Sequence, residues 1–492
     1  MTIRVLSIAS EAVPLIKTGG LADVVGALPA AVADHGVAMT TMLPGYPAVM
    51  AALAHDMPGR EKAGRVKHVH AWPSLMGEPA RLIAGTIGDH PLLVLDAPGL
   101  FGRDGGPYVD GTGRDWADNG LRFAAFARAA ADVACGAVPG MAFDLAHAHD
   151  WQAALVPAYL RFAPAGDAPP SVITIHNMAF QGHYPAALFP RLGLPDAAWS
   201  IHGVEYHGGV GFLKAGLESA WAITTVSPTY AREIRTAEFG MGLEGLIRAR
   251  AGHVHGIVNG IDSREWNPAD DPALASPFTA RTLARRAANK TALEAEFNIE
   301  PGTGPLFVVI SRLTWQKGMD ELLHVLDHLV ASGARLALLG SGDRALEAGF
   351  VAAAGRYPRR IGVRIGYDEN LSHRMQGGGD AILVPSRFEP CGLTQLYGLA
   401  YGCVPVVART GGLADTVIDA NLAALATGCA TGIQFNAVTH NALVEAIDRT
   451  CELYRDPRVW QQLQRAGMKS DFSWGRSGKA YADLYASLVE AR

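Results

Sequence analysis

Short apolar runs alternate with longer amphipathic stretches along the whole chain. In the first half the apolar runs occupy residues 3–9, 38–43, 92–96, 144–147, 172–176 and 223–227. In the second half they occupy residues 306–310, 336–339, 382–384 and 404–408. Continuous apolar runs of this length predict buried parallel strands, and alanine-rich stretches such as residues 119–135 predict the helices between them. Strands that alternate with helices indicate an α/β fold, with a doubly wound parallel sheet in each half.

Length and composition fit a globular protein of two or three domains. The chain has 492 residues, of which 49% are hydrophobic and 18% are charged, so core material is ample. Its net charge of −5 argues against nucleic acid or an anionic membrane as the main partner. An anionic ligand must therefore meet a local basic site.

Cysteine usage and the N-terminal run favour a cytoplasmic protein. The five cysteines are scattered and include no CxxC pair, which is typical of reduced thiols and not of a disulfide or zinc framework. The N-terminal run lacks the apolar core of a signal peptide, and no apolar run approaches the roughly 18 residues of a membrane span. We therefore expect no membrane partner.

One six-residue motif, Thr-Gly-Gly-Leu-Ala-Asp, occurs twice, at residues 18–23 and 410–415. Each copy follows a predicted strand and a basic residue, Lys17 or Arg409, and precedes a predicted helix. Paired glycines at a strand-to-helix turn let backbone N–H groups approach an anion, and the helix N-terminus adds about half a positive charge. A chance repeat is the alternative; otherwise the two copies predict two similar domains that face one shared ligand.

Polar residues cluster where predicted strands end in the first half. His147, His149 and Asp150 end one strand, and His176 ends the next. Ligands bind beyond the carboxyl ends of such strands, so Asp150 and His176 are candidate functional residues. An HxH pair with a carboxylate could ligate zinc, but a catalytic zinc needs a third protein ligand, so we expect no metal. The alternative for His147 and His149 is that they satisfy neighbouring protein groups.

Two glycine-rich segments of the first half are candidate binding loops. Tyr108 follows Gly105-Gly106-Pro107 and could present its ring to a sugar, although a plain turn is the alternative. Residues 181–211 are rich in aromatic residues, histidine and glycine, and their pattern predicts no regular structure. Long irregular segments inside compact domains are usually lids or binding loops.

Cations and a carboxylate follow the predicted strands of the second half. Arg312 and Lys317 come after residues 306–310, and two cations at the end of a buried strand predict a diphosphate partner, with a solvated loop as the alternative. Glu389 follows residues 382–384, and its carboxylate can accept hydrogen bonds from sugar hydroxyls. The Gly-Ser-Gly at residues 340–342 lacks the third glycine of a dinucleotide fingerprint, which disfavours a nicotinamide oxidoreductase.

Together these motifs resemble the bacterial glycogen synthase and plant starch synthase family, retaining glucosyltransferases of the GT-B fold. The resemblance runs nearly end to end and is carried by residues 17–24, 147–151, 174–177, 258–262, 311–313, 316–318, 389–393 and 409–413. It implies an α/β architecture of two Rossmann-like doubly wound parallel-sheet domains facing a deep cleft. Many related transferases carry a second glutamate where this chain has Tyr397, so we assign no ribose carboxylate there.

The resemblance also implies the domain bounds. An N-terminal Rossmann-like domain on the acceptor side spans residues 1–255, and a hinge spans residues 256–262. A C-terminal Rossmann-like domain for the nucleotide sugar spans residues 263–474. A C-terminal helix, residues 475–492, is expected to cross back to the N-terminal domain.

The implied reaction transfers glucose, with retention, from ADP-glucose to the non-reducing-end 4-hydroxyl of an α-1,4-glucan such as glycogen or a malto-oligosaccharide. ADP-glucose is a co-substrate, and neither a cofactor nor a metal is expected. The alternatives are a synthase of the same family with another nucleotide or a short acceptor, a GT-B epimerase, a sucrose- or trehalose-type synthase, and a non-catalytic glucan-binding protein. The last of these would not need the cationic residues.

The expected catalytic residues are Asp150, His176, Arg312, Lys317 and Glu389. Arg312 and Lys317 would stabilise the leaving diphosphate, with backbone donors from residues 410–413. Glu389 would hold the transferred glucose, and Asp150 and His176 would line its other side. The residues expected to bind the donor are Lys17, Gly19, Gly20, Asn259, Tyr367, Cys391, Gly392, Leu393, Thr410, Gly411 and Gly412. Among these, Tyr367 would stack on the base, and Tyr108 is a further candidate for sugar contact.

Overall fold

The computed structural model describes residues 2–54, 67–164 and 168–492, and it divides into two compact units. The first unit contains the described residues up to Val226, together with Ala231–Gly260 and Trp474–Arg492. The second unit contains Ser227–Tyr230 and Ile261–Ser473. Each unit has its own sheet of mainly parallel strands, which confirms the predicted α/β class.

The main sheet of the first unit has the strand order β12-β11-β7-β6-β1-β2-β5-β4-β3. The strands in the first part of the chain are β1 (Ile3–Ile8), β2 (Val37–Pro44), β3 (Lys67–Leu75), β4 (Glu78–Ile87), β5 (His90–Asp96), β6 (Leu145–His149), β7 (Ser171–Ile175), β8 (His183–Pro185), β9 (Glu205–Tyr206), β10 (Gly209–Gly211), β11 (Ala222–Thr225) and β12 (Val254–Gly256). Neighbours from β12 to β5 are parallel, and every apolar run of the first half coincides with one of these strands.

Strands β3 and β4, the last two at one end of the sheet, are absent from the sequence prediction. They form an antiparallel hairpin beside β5, and much of β3 is exposed, so their side chains do not make a continuous apolar run. The hairpin turns at Met76 and Gly77, whose φ angles are +51° and +99°. Two positive φ angles suit the right-handed twist of a hairpin, and the glycine was the available signal.

Helices cover this sheet and connect its strands. Those of the first part of the chain are α1 (Gly20–Ala33), α2 (Pro47–Ala54), α3 (Pro98–Phe101), α4 (Asn119–Ala134), α5 (Asp150–Ala153), α6 (Leu155–Arg161), α7 (Phe212–Ser219), α8 (Pro228–Glu233) and α9 (Glu244–Ala249), with a 3₁₀ turn at Ala251–His253. The predicted alanine-rich helix is α4, and small side chains allow nearly all of its faces to be buried.

The expectation of no regular structure at residues 181–211 was wrong. This segment contains β8, β9 and β10, which pair as a small antiparallel sheet, and 3₁₀ helices at Ala186–Leu192 and Asp196–Ala198. The strands have only two or three residues, which is too short for a hydrophobic period to appear in the sequence.

The second unit has one parallel sheet with the order β15-β14-β13-β16-β17-β18. Its strands are β13 (Leu306–Ile310), β14 (Arg335–Gly340), β15 (Ile361–Ile365), β16 (Ala381–Val384), β17 (Val404–Ala408) and β18 (Ile433–Phe435). Its helices are α10 (Arg286–Glu296), α11 (Met319–His324), α12 (Leu326–Ala331), α13 (Arg344–Arg356), α14 (Glu369–Gly378), α15 (Thr394–Tyr401), α16 (Gly411–Thr416), α17 (Leu422–Thr427), α18 (His440–Tyr454) and α19 (Pro457–Lys469), with 3₁₀ turns at Leu283–Arg285 and Trp315–Lys317. Apolar cores lie on both faces of the sheet, as parallel strands require.

Each sheet has a point where the strand order reverses. In the first unit the chain builds outward from β1 in one direction and from β6 in the other, so the switch point lies between these neighbours. In the second unit it lies between β13 and β16. Ligands of open α/β sheets bind at such points, outside the carboxyl ends of the strands.

The last helix, α20 (Trp474–Glu490), belongs to the first unit and packs against α1. Gly478 permits this close approach, since a Cβ there would lie 2.1 Å from the carbonyl oxygen of Ala31. Tyr481 and Tyr485 are fully buried in the core between this helix and the sheet. Within the ranges described, no helix combines the length and the hydropathy that a bilayer crossing requires.

Candidate active site

The predicted site residues fall into two groups, one in each unit. The group in the second unit contains Arg312, Lys317, Tyr367, Glu389, Cys391, Gly392, Leu393, Thr410, Gly411 and Gly412. The group in the first unit contains Lys17, Gly19, Gly20, Tyr108, Asp150, His176 and Asn259.

A partly buried ion pair lies at the switch point of the second unit. Lys317 follows β13 and Glu389 follows β16, and these strands are neighbours. Lys317 Nζ donates to Glu389 Oε2 at 2.5 Å, and the Ser386 hydroxyl donates to the same oxygen at 2.8 Å. Glu389 is 7% exposed, and its Oε1 accepts no hydrogen bond from any residue that the structure describes. This oxygen is therefore available to a hydroxyl of a ligand.

Arg312 is the second cation at this edge of the sheet. It follows β13 directly and is exposed. Across the described ranges, no side chain forms an ion pair with its guanidinium, and no acceptor receives a hydrogen bond from it. An unpaired guanidinium beside a parallel sheet is suited to bidentate binding of a phosphate.

The second copy of the repeated motif packs tightly against the loop of Glu389. Gly411 has φ +44°, and a Cβ there would lie 1.9 Å from the carbonyl oxygen of Glu389. The Gly412 N–H donates to the carbonyl oxygens of Glu389 and Pro390, at 3.0 and 3.1 Å. The Gly412 amide therefore holds the two loops together.

Gln395 fixes the turn that follows Glu389. Its side-chain amide donates to the carbonyl oxygens of Cys391 and Gly392 at 3.1 and 2.9 Å, and to Thr416 Oγ1 at 3.2 Å. Gly392 has φ +70°, which a side chain would strain, and Leu393 then precedes α15. The sequence analysis gave Gln395 no role, although its place one residue into a helix after a glycine turn was a signal.

Tyr367 and Asn259 differ sharply in their surroundings. Tyr367 follows β15 and is 71% exposed, with its hydroxyl 3.0 Å from Glu369 Oε2, so its ring is open to a flat partner. Asn259 is 5% exposed, and its Oδ1 is buried without a hydrogen-bond partner within the described residues. A buried orphan acceptor is costly, which is typical of a site that a ligand or water completes.

Asp150 begins α5 at the switch point of the first unit with a strained backbone. Its φ is +55°, which is unfavourable for a residue with a side chain and is found most often at functional sites. Asp150 Oδ1 accepts the backbone N–H groups of His176 and Asn177, at 2.8 and 3.4 Å. Burial raises the pKa of this carboxyl to about 7, against the lowering effect of these two hydrogen bonds.

Three buried histidines lie at the ends of β6 and β7, in the same part of the first unit as Asp150. Most of their ring nitrogens contact other side chains of the protein. His149 Nδ1 lies 3.0 Å from His176 Nε2, and His149 Nε2 lies 3.2 Å from the Ser7 hydroxyl. His147 contacts the hydroxyls of Tyr485 and Thr174, at 2.7 and 2.6 Å. Burial lowers the pKa of His147 and His176 to about 3 and that of His149 well below its usual value, so all three are neutral.

These contacts favour the alternative that His147 and His149 satisfy protein groups. His176 differs, because its Nδ1 makes no hydrogen bond to a described residue and remains available. In the described ranges no group of three histidine, cysteine or acidic side chains is placed to hold a metal ion.

Glu11 is a buried carboxylate that the sequence analysis missed. It follows β1 at the switch point and is 2% exposed. Its carboxylate accepts hydrogen bonds from the Tyr108 hydroxyl and from both the backbone and the hydroxyl of Thr18, the last at 2.6 Å. The predicted sugar-contact residue Tyr108 is thus tied to the first glycine loop. The position of Glu11 just after the predicted first strand was the signal that could have identified it.

The first copy of the repeated motif is built differently from the second. Lys17 Nζ pairs with Asp23 of the same motif at 2.8 Å, and both side chains are partly exposed. Gly19 precedes α1, which begins at Gly20, and a Cβ at Gly19 would meet nothing within 4 Å. This loop therefore leaves open space where the second copy is packed.

Two family models together match most of the chain. Residues 4–249 match the model of the starch synthase catalytic domain, and residues 292–466 match the model of glycosyl transferases group 1. The chain is 71% identical to a glycogen synthase from Novosphingobium aromaticivorans over 99% of both chains. It is 56% identical to a glycogen synthase from Mesorhizobium japonicum, again over 99% of both chains.

Two solved structures are similar over 100% of both chains. The catalytic domain of starch synthase IV from Arabidopsis thaliana, bound to ADP and acarbose, is 31% identical with a TM-score of 0.86. Sucrose-phosphate synthase from Thermosynechococcus elongatus is 17% identical with a TM-score of 0.61, which is a likeness of fold alone.

Proposed function

The chain belongs to the glycogen and starch synthase family of glycosyltransferases, and from that membership we propose that it transfers glucose from ADP-glucose to an α-1,4-glucan. The glucose joins the 4-hydroxyl at the non-reducing end of the acceptor, and its anomeric configuration is retained. Two relatives named glycogen synthase that match over nearly their whole length, and a similar starch synthase structure bound to ADP, support this donor and acceptor. The fold class is the predicted GT-B type.

The switch point of the second unit carries the proposal. Arg312 supplies a cation with no protein partner in the described ranges, and Glu389 Oε1 supplies an acceptor for sugar hydroxyls on the neighbouring strand end. In the proposed reaction Arg312 and Lys317 stabilise the charge that builds on the leaving diphosphate. Preorganised donors of this kind are worth about 3–4 kcal/mol each. Tyr367 stacks on the nucleotide base through its exposed aromatic ring.

We assign Asp150 and His176 of the first unit to the transferred glucose. The ionised Asp150 carboxylate stabilises the positive charge that develops on the sugar. His176 Nδ1 makes a hydrogen bond to the same sugar. A diphosphate leaves without a general acid, so one of the two carboxylate roles of a glycosidase is unnecessary. A same-face displacement, in which a phosphate oxygen of the donor takes the proton of the acceptor hydroxyl, accounts for retention. A trapped glucosyl–Asp150 adduct would contradict this step.

The decisive experiment measures transfer of labelled glucose to glycogen from ADP-glucose and, in parallel, from UDP-glucose. Both reactions contain EDTA. We expect label in the polymer from ADP-glucose at an undiminished rate, because neither a cofactor nor a metal takes part in the proposed chemistry. Digestion of the product by an enzyme specific for α-1,4 bonds should release the label.

The other outcomes revise different parts of the proposal. Label from UDP-glucose alone changes the nucleotide and keeps the reaction. Transfer only to malto-oligosaccharides changes the acceptor. Label from neither donor to any glucan contradicts the proposed function, and activity that EDTA abolishes contradicts metal independence.

A further inference from the structure

The turn that carries Lys317 has little stability of its own. It is a single 3₁₀ turn, Trp315–Lys317, closed by hydrogen bonds from the Lys317 N–H to Thr314 O at 3.1 Å and from the Gly318 N–H to Trp315 O at 3.0 Å. Gly318 then leaves the turn with φ +68°. So short a 3₁₀ segment needs support from its surroundings to hold one conformation.

Arg387 supplies that support from the neighbouring loop. Its Nη1 donates to the carbonyl oxygen of Trp315 at 2.7 Å, and its guanidinium binds both carboxylate oxygens of Asp320, at 2.6 and 2.8 Å. The guanidinium also stacks on the Trp315 ring, 4.6 Å from its centroid. Asp320 stands in the first turn of α11, so Arg387 holds the 3₁₀ turn and the following helix together.

Backbone contacts join the same two loops on either side of Arg387. The Arg387 N–H donates to Gln316 O at 2.9 Å, and the Gln316 side chain donates to Phe388 O at 3.3 Å. Gly318 lies so close to Pro385 that a Cβ would fall 1.9 Å from its carbonyl oxygen. The relative position of Lys317 and Glu389 therefore depends on how these loops are clamped.

Arg387 differs from Arg312 although both are cations at this edge. The Arg387 side chain is 17% exposed, and its guanidinium is occupied by Asp320, by the Trp315 carbonyl oxygen and by Glu321, whose Oε1 lies 3.5 Å from Nη2. Arg312 is exposed and makes no ion pair within the described residues. A guanidinium already neutralised by a bidentate carboxylate has little to offer a phosphate.

We propose that Arg387 is a positioning residue, which with Asp320 clamps the Trp315–Lys317 turn so that Lys317 meets Glu389 and the donor diphosphate. The proposal rests on the proposed function for its catalytic consequence, and on geometry alone for the clamp. A displacement of about 1 Å at a catalytic group lowers rates by about 100-fold, so loss of the clamp should be visible in turnover.

The first test uses the change in ADP affinity, which has opposite signs for a positioning Arg387 and for an Arg387 that binds the diphosphate. Asp320→Asn leaves Arg387 in place but removes its bidentate carboxylate partner, and only the weaker pair with Glu321 Oε1 at 3.5 Å remains. If Arg387 positions Lys317, this variant should bind ADP more weakly and lose about 10- to 100-fold in kcat/KM for ADP-glucose. If Arg387 bound the diphosphate itself, Asp320→Asn should bind ADP more tightly. That result would overturn the proposal.

A double-mutant cycle tests whether the pair acts as a unit. Arg387→Met should lose about as much in kcat/KM as Asp320→Asn, and the double variant should be no worse than Arg387→Met. The KM for glycogen should stay unchanged in all three. Additive losses would contradict a shared clamp. Arg387→Lys, which keeps the charge without the fork, should recover little.

The matched control is Glu296→Gln in the same unit. Glu296 binds the fork of Arg374 at 2.9 and 2.8 Å, with similar exposure, between α10 and α14. This variant removes an equivalent surface pair, so its kcat/KM should equal that of the unaltered protein. A loss as large as that of Asp320→Asn would show that any such pair matters and would overturn the assignment.

Amide hydrogen exchange tests the clamp independently of activity. In Arg387→Met the peptide that covers residues 314–319 should exchange faster by about 10-fold or more, while peptides from α10 and α14 keep their rates. Unchanged exchange at residues 314–319 would overturn the proposal. If the unaltered protein turns over no glucose donor yet exchange still increases in the variant, the proposed function fails and the clamp stands.

Discussion

The Lys317–Glu389 pair shows how a single residue can be placed for function at some cost to stability. Burying two charges costs more than their attraction usually returns unless further hydrogen bonds satisfy them. Here the Ser386 hydroxyl is the additional donor, and it leaves Glu389 Oε1 without a partner among the described residues. Asp320, by contrast, uses both of its carboxylate oxygens to bind Arg387.

Glu389→Gln should cost far more in turnover than in folding. The amide can still accept a hydrogen bond from Lys317, and the Lys317 side chain is 17% exposed, so water can solvate its charge. We therefore expect the unfolding free energy to fall by only about 1 kcal/mol. Loss of the carboxylate should lower kcat by about 100-fold or more, comparable with loss of one preorganised transition-state contact. Initial rates with labelled ADP-glucose and urea unfolding measure the two quantities.

Glu294→Gln is the control for Glu389→Gln, because we expect it to lower stability without lowering the rate per folded molecule. Glu294 is buried and pairs with fully buried Arg335, away from the switch point. Breaking a buried pair of this kind should cost about 3–5 kcal/mol, while the rate per folded molecule stays unchanged. Retained turnover in folded Glu389→Gln would contradict the role given to Glu389.

Asp150 should impose a visible pH dependence on the free enzyme. Burial raises its pKa to about 7, and only the ionised form can stabilise a developing cation. We therefore expect kcat/KM for ADP-glucose to rise with pH through about 7 and to level off above it. The neighbouring histidines do not contribute to this limb, because the pKa of His176 is lowered to about 3.

The measurement is a kcat/KM profile from pH 5 to pH 9, with Asp150→Asn for comparison. The asparagine variant should lose about 100-fold or more in activity and should lack the limb near neutrality. A profile that is flat from pH 5 upward, as expected for a carboxyl with the ordinary pKa of about 4, would show that Asp150 does not stay buried in the working enzyme.

At the scale of elements, the two copies of the repeated motif have diverged in structure. In the first copy α1 begins at the second glycine, whereas in the second copy α16 begins at the first glycine, Gly411. The first loop surrounds its glycine with open space, and the second packs against the Glu389 loop. Identical letters therefore build an open loop in one unit and a packed joint in the other.

Alanine at the two first glycines should separate these roles. Gly411→Ala forces a Cβ against the Glu389 carbonyl at a positive φ, so we expect a loss of about 2 kcal/mol or more in stability and a large loss of ADP affinity. Gly19→Ala meets no atom within 4 Å and should change stability by less than about 1 kcal/mol.

Urea unfolding and ADP titration measure both effects. Gly252→Ala serves as a neutral control, since its Cβ would also meet nothing within 4 Å. Equal behaviour of Gly19→Ala and Gly411→Ala in both assays would contradict the divergence described here.

At the scale of the whole molecule, the first unit depends on the last segment of the chain. Helix α20 brings Tyr485 against His147, and its buried tyrosines complete the core beside α1. Each sheet, considered separately, then presents its polar residues at its own switch point. The three neutral histidines lie within this first unit and make its stability sensitive to acid.

Acidification from pH 7 to pH 5 should destabilise the first unit. The folded pKa values of His147, His149 and His176 lie below those of an unfolded chain. As the pH is lowered, the unfolded state therefore takes up protons that the folded state does not, and the stability decreases. Each histidine should cost about 2 kcal/mol at pH 5. Asp150 acts in the opposite direction, because its raised pKa favours the protonated folded state, and it offsets about 2 kcal/mol.

The expected net loss is about 4 kcal/mol, which urea unfolding at the two pH values measures. His149→Gln should weaken this pH dependence by about 2 kcal/mol, whatever its effect on stability at pH 7. Stability that stays constant between pH 7 and pH 5 would contradict neutral, buried histidines.

Much of this protein was predictable from sequence because its strands are short apolar runs with chemistry at their ends. Runs such as residues 306–310 determined the strands, and the rule that ligands meet parallel strands at their carboxyl ends singled out Lys317, Glu389 and Asp150. The hairpin of β3 and β4 and the strands within residues 181–211 escaped, because exposed or very short strands leave no apolar period.

The sequence by itself determined the fold class, the family and the chemical type of each candidate residue, since these depend on local pattern and motif. Tertiary structure alone decided which groups are already in use. Arg387 pairs with Asp320, whereas Arg312 forms no ion pair in the described ranges. Glu11 accepts hydrogen bonds from Thr18 and Tyr108. Partners of this kind lie far apart in the chain, and whether a charge is paired or buried depends on packing that no single segment encodes.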